Sequence, residues 1–170
     1  MDLHKCIRTI PDFPKDGVSF RDVTPLLADT EAFNFAIDKM VVLSKQFRPD
    51  VIAGIESRGF LFGAPISLKL GLPFVPIRKE GKLPFEKKSV RYDLEYGNDK
   101  LEIHVDAFQS GQKVLLVDDL IATGGTLEAS SRLVESLDAE VAGICVLIEL
   151  LDIGSRELLS SRQVSSVLRF

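Results

Sequence analysis

The stretch Val114-Leu115-Leu116-Val117-Asp118-Asp119-Leu120-Ile121-Ala122-Thr123-Gly124-Gly125-Thr126 constrains this chain more than any other part of it. Four consecutive apolar residues read as a buried strand. Two carboxylates follow, and a loop of small residues then opens a helix predicted to run to about Leu137. Gly124 and Gly125 let backbone N–H groups approach an anion with no Cβ in the way. The helix adds unpaired N–H groups and the positive end of its dipole. Thr123 and Thr126 add hydroxyl donors, so the segment Ala122–Thr126 suits a phosphate monoester. Asp118 and Asp119 cannot face that phosphate, because like charges repel; they suit the hydroxyls of a sugar diol. A phosphate at one end and a diol at the other are the features of ribose 5-phosphate.

Other phosphate motifs are missing: no GxxxxGK[ST] occurs, and no GxGxxG follows a strand. The carboxylate pair has no third carboxylate or His at ligand spacing. No dedicated metal cage is therefore expected, and magnesium would arrive on the ligand's own oxygens.

The rest of the chain alternates strand and helix signals. A helix is expected from Glu31 to Phe47, with Thr30 as its N-cap and Pro49 beyond its end. Val51–Ile55 reads as a strand, Glu56-Ser57-Arg58-Gly59 as a loop leading into a helix to Leu70, and Phe74–Ile77 as another strand. Val141–Leu147 should be a further buried strand. The apolar run Val141–Leu151 has 11 residues, against the roughly 20 a membrane-crossing helix needs. Ile10–Pro25 is rich in Pro, Gly and Asp and should be irregular. This order predicts an α/β fold, a mostly parallel sheet flanked by helices, with ligands at the strand C-termini.

At 170 residues the chain suits a single domain. A net charge of −4 argues against a nucleic-acid surface. Against that background Arg78–Arg91 is locally basic, with six cations and two acids. The cations are Arg78, Lys79, Lys82, Lys87, Lys88 and Arg91; such a run would attract a multiply charged anion, with Lys87 and Lys88 read as a solvated face. Arg78–Asp99 resembles an extended hairpin or flap. Cys6 and Cys145 form no cluster with His4 or His104, which suggests packing residues and a reducing, cytoplasmic setting. The opening MDLHKCIRTIPDFP has no apolar signal-peptide core.

The thirteen-residue string resembles the phosphoribosyl pyrophosphate signature of the type I phosphoribosyltransferases. Three further segments are similar to the adenine-specific branch of that family: Pro11-Asp12-Phe13-Pro14 leading to Gly17-Val18-Ser19-Phe20-Arg21-Asp22, then Gly54–Phe60, and Arg78-Lys79 through Leu94-Glu95-Tyr96-Gly97. The resemblance runs from Pro11 to about Leu159. It implies a family fold with an N-terminal hood (about 8–27) and a flap (about 79–101) on a single domain.

For the site, the resemblance implies that ribose 5-phosphate is bound by Asp118, Asp119, Ala122, Thr123, Gly124, Gly125 and Thr126. Adenine would be read by backbone groups of Ser19 and Arg21 and enclosed by Phe20 and Leu150. Pyrophosphate would fall to Glu56, Ser57, Arg58, Arg78, Lys79, Lys82 and Tyr96, with a non-proline cis peptide at Glu56–Ser57. Glu95 would be the acid–base group. The implied reaction takes adenine and phosphoribosyl pyrophosphate to AMP and pyrophosphate with magnesium, in a homodimer. Two alternatives stand beside it: transfer to guanine, hypoxanthine or xanthine, and a non-catalytic sensor of the donor.

Overall fold

The structure is a computed structural model that describes residues 1–93, 98–151 and 155–170, without the side chains of 93, 98, 155 and 156. In chain order the elements are β1 (Arg8–Ile10), β2 (Phe20–Asp22), α1 (Thr24–Ala28), α2 (Thr30–Lys45), β3 (Val51–Ile55), α3 (Arg58–Leu70) and β4 (Phe74–Lys79). Then come β5 (Lys87–Asp93), β6 (Asn98–His104), β7 (Lys113–Ile121), α4 (Gly125–Ser136), β8 (Glu140–Glu149), α5 (Ser155–Leu158) and β9 (Val164–Arg169). The chain divides into residues 1–39 and 40–170.

In residues 1–39, β1 and β2 pair antiparallel, with Thr9 opposite Arg21 and Ile10 opposite Phe20. The stretch expected to be irregular thus contains a strand at Phe20–Asp22. The carboxylate of Asp22 accepts from the Thr24 N–H at 2.9 Å and the Thr24 hydroxyl at 2.7 Å, which turns the strand into α1. The cap expected at Thr30 belongs to Asp29 instead. Its Oδ1 accepts from the N–H groups of Glu31 at 2.9 Å and Ala32 at 3.0 Å, satisfying two of the helix's orphan donors.

In residues 40–170, seven strands form one sheet in the order β5-β6-β4-β3-β7-β8-β9. The five strands from β4 to β9 in that order are parallel, and β5 and β6 are antiparallel additions at one edge. β3 carries buried side chains at every position, as expected for a strand covered on both faces. Val51, Ala53, Ile55, Val114, Leu116, Ile144 and Val146 share one core with Leu127, Leu133 and Val134 of α4. Their alternates Ile52, Leu115, Cys145 and Leu147 are fully buried too. Each such burial is worth about 1.5–3 kcal/mol, so both faces of the central strands contribute to the core.

α3 packs against β3 and β7, and α4 against β5 and β8. The edge strand β9, absent from the sequence expectations, pairs parallel with β8. Among the described residues, no helix is long and apolar enough to cross a membrane. Both cysteines are free thiols, and burial pushes the Cys145 thiol up to about 11.

Candidate active site

Neighbouring parallel strands β3 and β7 end side by side, and each feeds a helix through a short loop. After β3 the chain turns through Glu56 and Ser57, whose connecting peptide is cis, into α3. After β7 it passes Ala122 and Thr123 to Gly124, whose φ of +88° is favourable only to glycine, and into α4. Neither helix has a side-chain cap on its first N–H groups. Both positive helix ends therefore meet a single cleft of about 300 Å³, lined by Ser57, Arg58, Ala122, Thr123, Gly124 and Thr126 among others. Gly125 is the first residue of α4, immediately beside this lining.

The floor carries Asp118 and Asp119. Asp119 is 3% exposed, and its Oδ2 lies 3.0 Å from Arg58 Nε, close enough for charge pairing though without an aligned hydrogen bond. The Asp119 N–H donates to Asp118 Oδ1 at 2.9 Å. Burial, and then the charge of Asp119, push the Asp118 carboxyl well above the ordinary carboxylate value. Burial also raises Asp119, against the pull of Arg58. Two crowded carboxylates with one cation beside Asp119 form a strong acceptor set for hydroxyl donors or for a hard cation.

Among the described residues, no group of three or more His, Cys, Asp or Glu could hold a metal by itself. The buried, unbonded Asp119 Oδ2 nevertheless offers an oxygen of the kind magnesium prefers. The residues fit an ion carried mainly by ligand oxygens.

The opposite wall comes from β4 and the hairpin β5–β6. Lys79, Tyr92 and Asp99 line the cleft there. Lys79 Nζ lies 3.0 Å from Asp99 Oδ2, which also accepts from the Tyr92 hydroxyl at 3.3 Å. The Asp99 hydrogen bond raises the Lys79 ammonium above its usual range. Burial works against the Asp99 charge, but the Lys100 N–H and Lys79 hold its carboxyl below the ordinary value. Sequence reading did not single out Tyr92 or Asp99. They come together because β5 pairs antiparallel with β6, which sets Tyr92 opposite Asp99.

Other expected residues fall elsewhere. The Glu56 carboxylate accepts from the Lys79 N–H at 2.9 Å and Arg78 Nε at 3.1 Å, although Glu56 also borders the cleft. Burial opposes its charge, yet these donors keep its carboxyl below the usual range. Arg78 and Lys82 do not line the cleft; an Arg78 N–H donates to the Lys82 carbonyl at 3.4 Å. Lys87, read as a solvated charge, pairs at 3.0 Å with the buried carboxylate of Glu102, and the Lys88 ammonium donates to the Ser136 carbonyl. Lys87 reaches its partner across the hairpin and Lys88 reaches the end of α4, which a residue-by-residue charge count does not reveal.

The Leu150 N–H donates to the Ile121 carbonyl at 3.0 Å, just past the end of β8. Ser19, Phe20 and Arg21 belong to residues 1–39, where Ser19 is exposed and Phe20 half-buried on β2, and an Arg21 guanidinium N–H donates to the Thr9 hydroxyl. Glu95 and Tyr96 lie outside the described residues.

The parallel sheet with a carboxylate pair and two helix N-termini at its edge defines a phosphoribosyl-binding class of protein. Residues 27–168 match the model of the phosphoribosyl transferase domain family. The chain is 53% identical over 169 residues to the adenine phosphoribosyltransferase of Halothermothrix orenii, covering 99% of each. It superposes with a TM-score of 0.92 and 50% identity on the solved adenine phosphoribosyltransferase of Thermoanaerobacter pseudethanolicus, covering 99% of this chain and 98% of that one. The enzyme from Saccharomyces cerevisiae, solved with an imino-altritol bisphosphate and adenine, matches with a TM-score of 0.92 and 39% identity over 98% of this chain and 96% of that one. The chain belongs to the adenine phosphoribosyltransferase family.

Proposed function

We propose that this chain transfers the 5-phosphoribosyl group of phosphoribosyl pyrophosphate to adenine, giving AMP and pyrophosphate. The observation that carries the reading is the pair of uncapped helix N-termini flanking Asp118 and Asp119. Two anion-binding ends separated by a diol acceptor fit a donor with a phosphate at one end and a pyrophosphate at the other.

In this reading the N–H groups and hydroxyls of Ala122–Thr126 hold the 5-phosphate, and Asp118 and Asp119 accept from the ribose hydroxyls. Ser57, Arg58 and Lys79 hold the pyrophosphate; Glu56 fixes the Lys79 backbone, and Arg78, Lys82 and Tyr96 complete that end. Backbone groups of Ser19 and Arg21 read the base edge, and Phe20 and Leu150 enclose its faces. A base-reading group left unpaired costs about 1–3 kcal/mol, enough to select among purines. Adenine N9 attacks C1′ as the bond to pyrophosphate breaks, and Glu95 takes the proton that the purine gives up. Asp118 or Asp119 would offer an oxygen to magnesium carried mainly by the donor, and the ion would supply charge neutralisation for the departing group.

Residues 8–27 serve as the hood and 79–101 as the flap of one domain. Exposed Leu61 and Leu68, seven residues apart on α3, support assembly as a homodimer, and the two free thiols support a cytoplasmic location. No nucleic acid or membrane partner enters this reading. The purified chain, given the donor, magnesium and each purine base in turn, should convert adenine alone. Conversion of guanine, hypoxanthine or xanthine at a comparable rate would overturn the base assignment.

A further inference from the structure

Asp99 places a negative charge in the cleft wall beside Lys79, at the end of the cleft where Ser57 and Arg58 would receive an anion. Its position is built. Oδ1 accepts from the Lys100 N–H at 2.8 Å, and Oδ2 accepts from Lys79 Nζ at 3.0 Å and the Tyr92 hydroxyl at 3.3 Å. Tyr92 lines the same cleft as Thr126 of the loop before α4. Three elements, β4, β5 and β6, therefore hold this carboxylate beside the Lys79 ammonium.

We propose that Asp99 is an internal competitor for pyrophosphate: it occupies Lys79 in the free enzyme, yields it when a pyrophosphate group enters, and reclaims it as pyrophosphate leaves. The inference rests on the reading of Lys79 as part of the pyrophosphate end.

The physical reason is an exchange of counter-ions. An incoming pyrophosphate must break the Lys79–Asp99 pair and also approach an uncompensated carboxylate, so its affinity is lowered on both counts. After the bond to C1′ is cleaved, the same pair helps pyrophosphate depart, and product release limits many transferring enzymes. Glu56 cannot play this part, because its oxygens take the Lys79 backbone N–H and the Arg78 guanidinium. Asp99 acts through Lys79 and is thus a positioning residue.

The test is calorimetric titration of inorganic pyrophosphate, in magnesium buffer, into wild type, Asp99→Asn, Asp99→Ser, Lys79→Ala and the double variant Lys79→Ala with Asp99→Asn. Lys79 is half-exposed, so the expected gain is modest: Asp99→Asn should bind pyrophosphate about threefold tighter than wild type. That gain should disappear when Lys79 is alanine, and ribose 5-phosphate, titrated separately, should bind all forms alike. Unchanged or weaker pyrophosphate binding in both Asp99 variants that still bind ribose 5-phosphate would overturn the proposal. So would an equal gain in the Lys79→Ala background, because the effect would then be one of general charge. A wild-type chain that binds ribose 5-phosphate but not pyrophosphate would instead overturn the reading of the cleft itself, and this inference with it.

Discussion

Gly59, in the first turn of α3, stands directly against Asp118 at the end of β7. A Cβ on Gly59 would lie 2.7 Å from the Val117 carbonyl and 3.0 Å from Asp118 Oδ1. This close approach brings the start of α3 up to the carboxylate floor. Gly59→Ala should push the two apart, at a cost of about 1–3 kcal/mol in stability. Ribose 5-phosphate affinity should fall as well, measured by titration at a temperature where the variant is folded. Loss of stability with unchanged affinity would show that the contact serves packing only.

Asp118 and Asp119 are poised at the expense of the fold. Their carboxyls are raised above the ordinary value of 3.8, so the folded state binds a proton more readily than the unfolded one. Their contribution to stability is therefore most favourable below pH 3.8 and is lost as pH rises through the folded values. Asp118→Asn should stabilise the fold at pH 7 by on the order of 1 kcal/mol, read as a higher melting temperature, with the gain shrinking as pH falls toward 4. The same variant should lose ribose 5-phosphate binding. Melting curves across pH check the first outcome, and a stability loss at pH 7 would contradict it.

The floor of this site was legible because its signals are local. A buried strand, two acids and a Gly-Gly turn follow one another within thirteen residues, and the structure places them in one cleft. Tyr92 and Asp99 were not legible, because they act only through cross-strand register, which depends on where the hairpin turns. Asp29 replaced Thr30 as cap because both residue types can cap, and the choice lies in the entering chain's geometry. β9 was missed because its apolar residues Val164, Val167 and Leu168 stand at i, i+3 and i+4, the spacing of a helix and not of a strand. The buried Glu149 carboxylate, which accepts from the Ser166 hydroxyl at 2.7 Å and faces Arg169 Nε at 3.5 Å, ties that strand to β8 in a way composition does not announce.

Removal of magnesium separates the fold from the chemistry. Because no metal-holding cluster exists among the described residues, a chelator should leave the melting temperature of the ligand-free chain unchanged. It should abolish turnover and weaken donor binding, and added magnesium should restore both. A chelator-induced drop in melting temperature would reveal a resident structural ion.

Glu95→Gln separates proton transfer from binding. Turnover should fall about 100-fold or more, within the range ascribed to a positioned acid–base group, while donor affinity changes little. Wild-type turnover in that variant would remove Glu95 from the mechanism.

AMP formation from labelled adenine and phosphoribosyl pyrophosphate, followed with and without magnesium, decides whether the chain is a transferase. Labelled AMP and pyrophosphate should form in equal amounts, only with magnesium, and not in Asp118→Asn. Donor binding without any AMP or pyrophosphate would contradict this outcome and would mark the chain as a sensor of the donor.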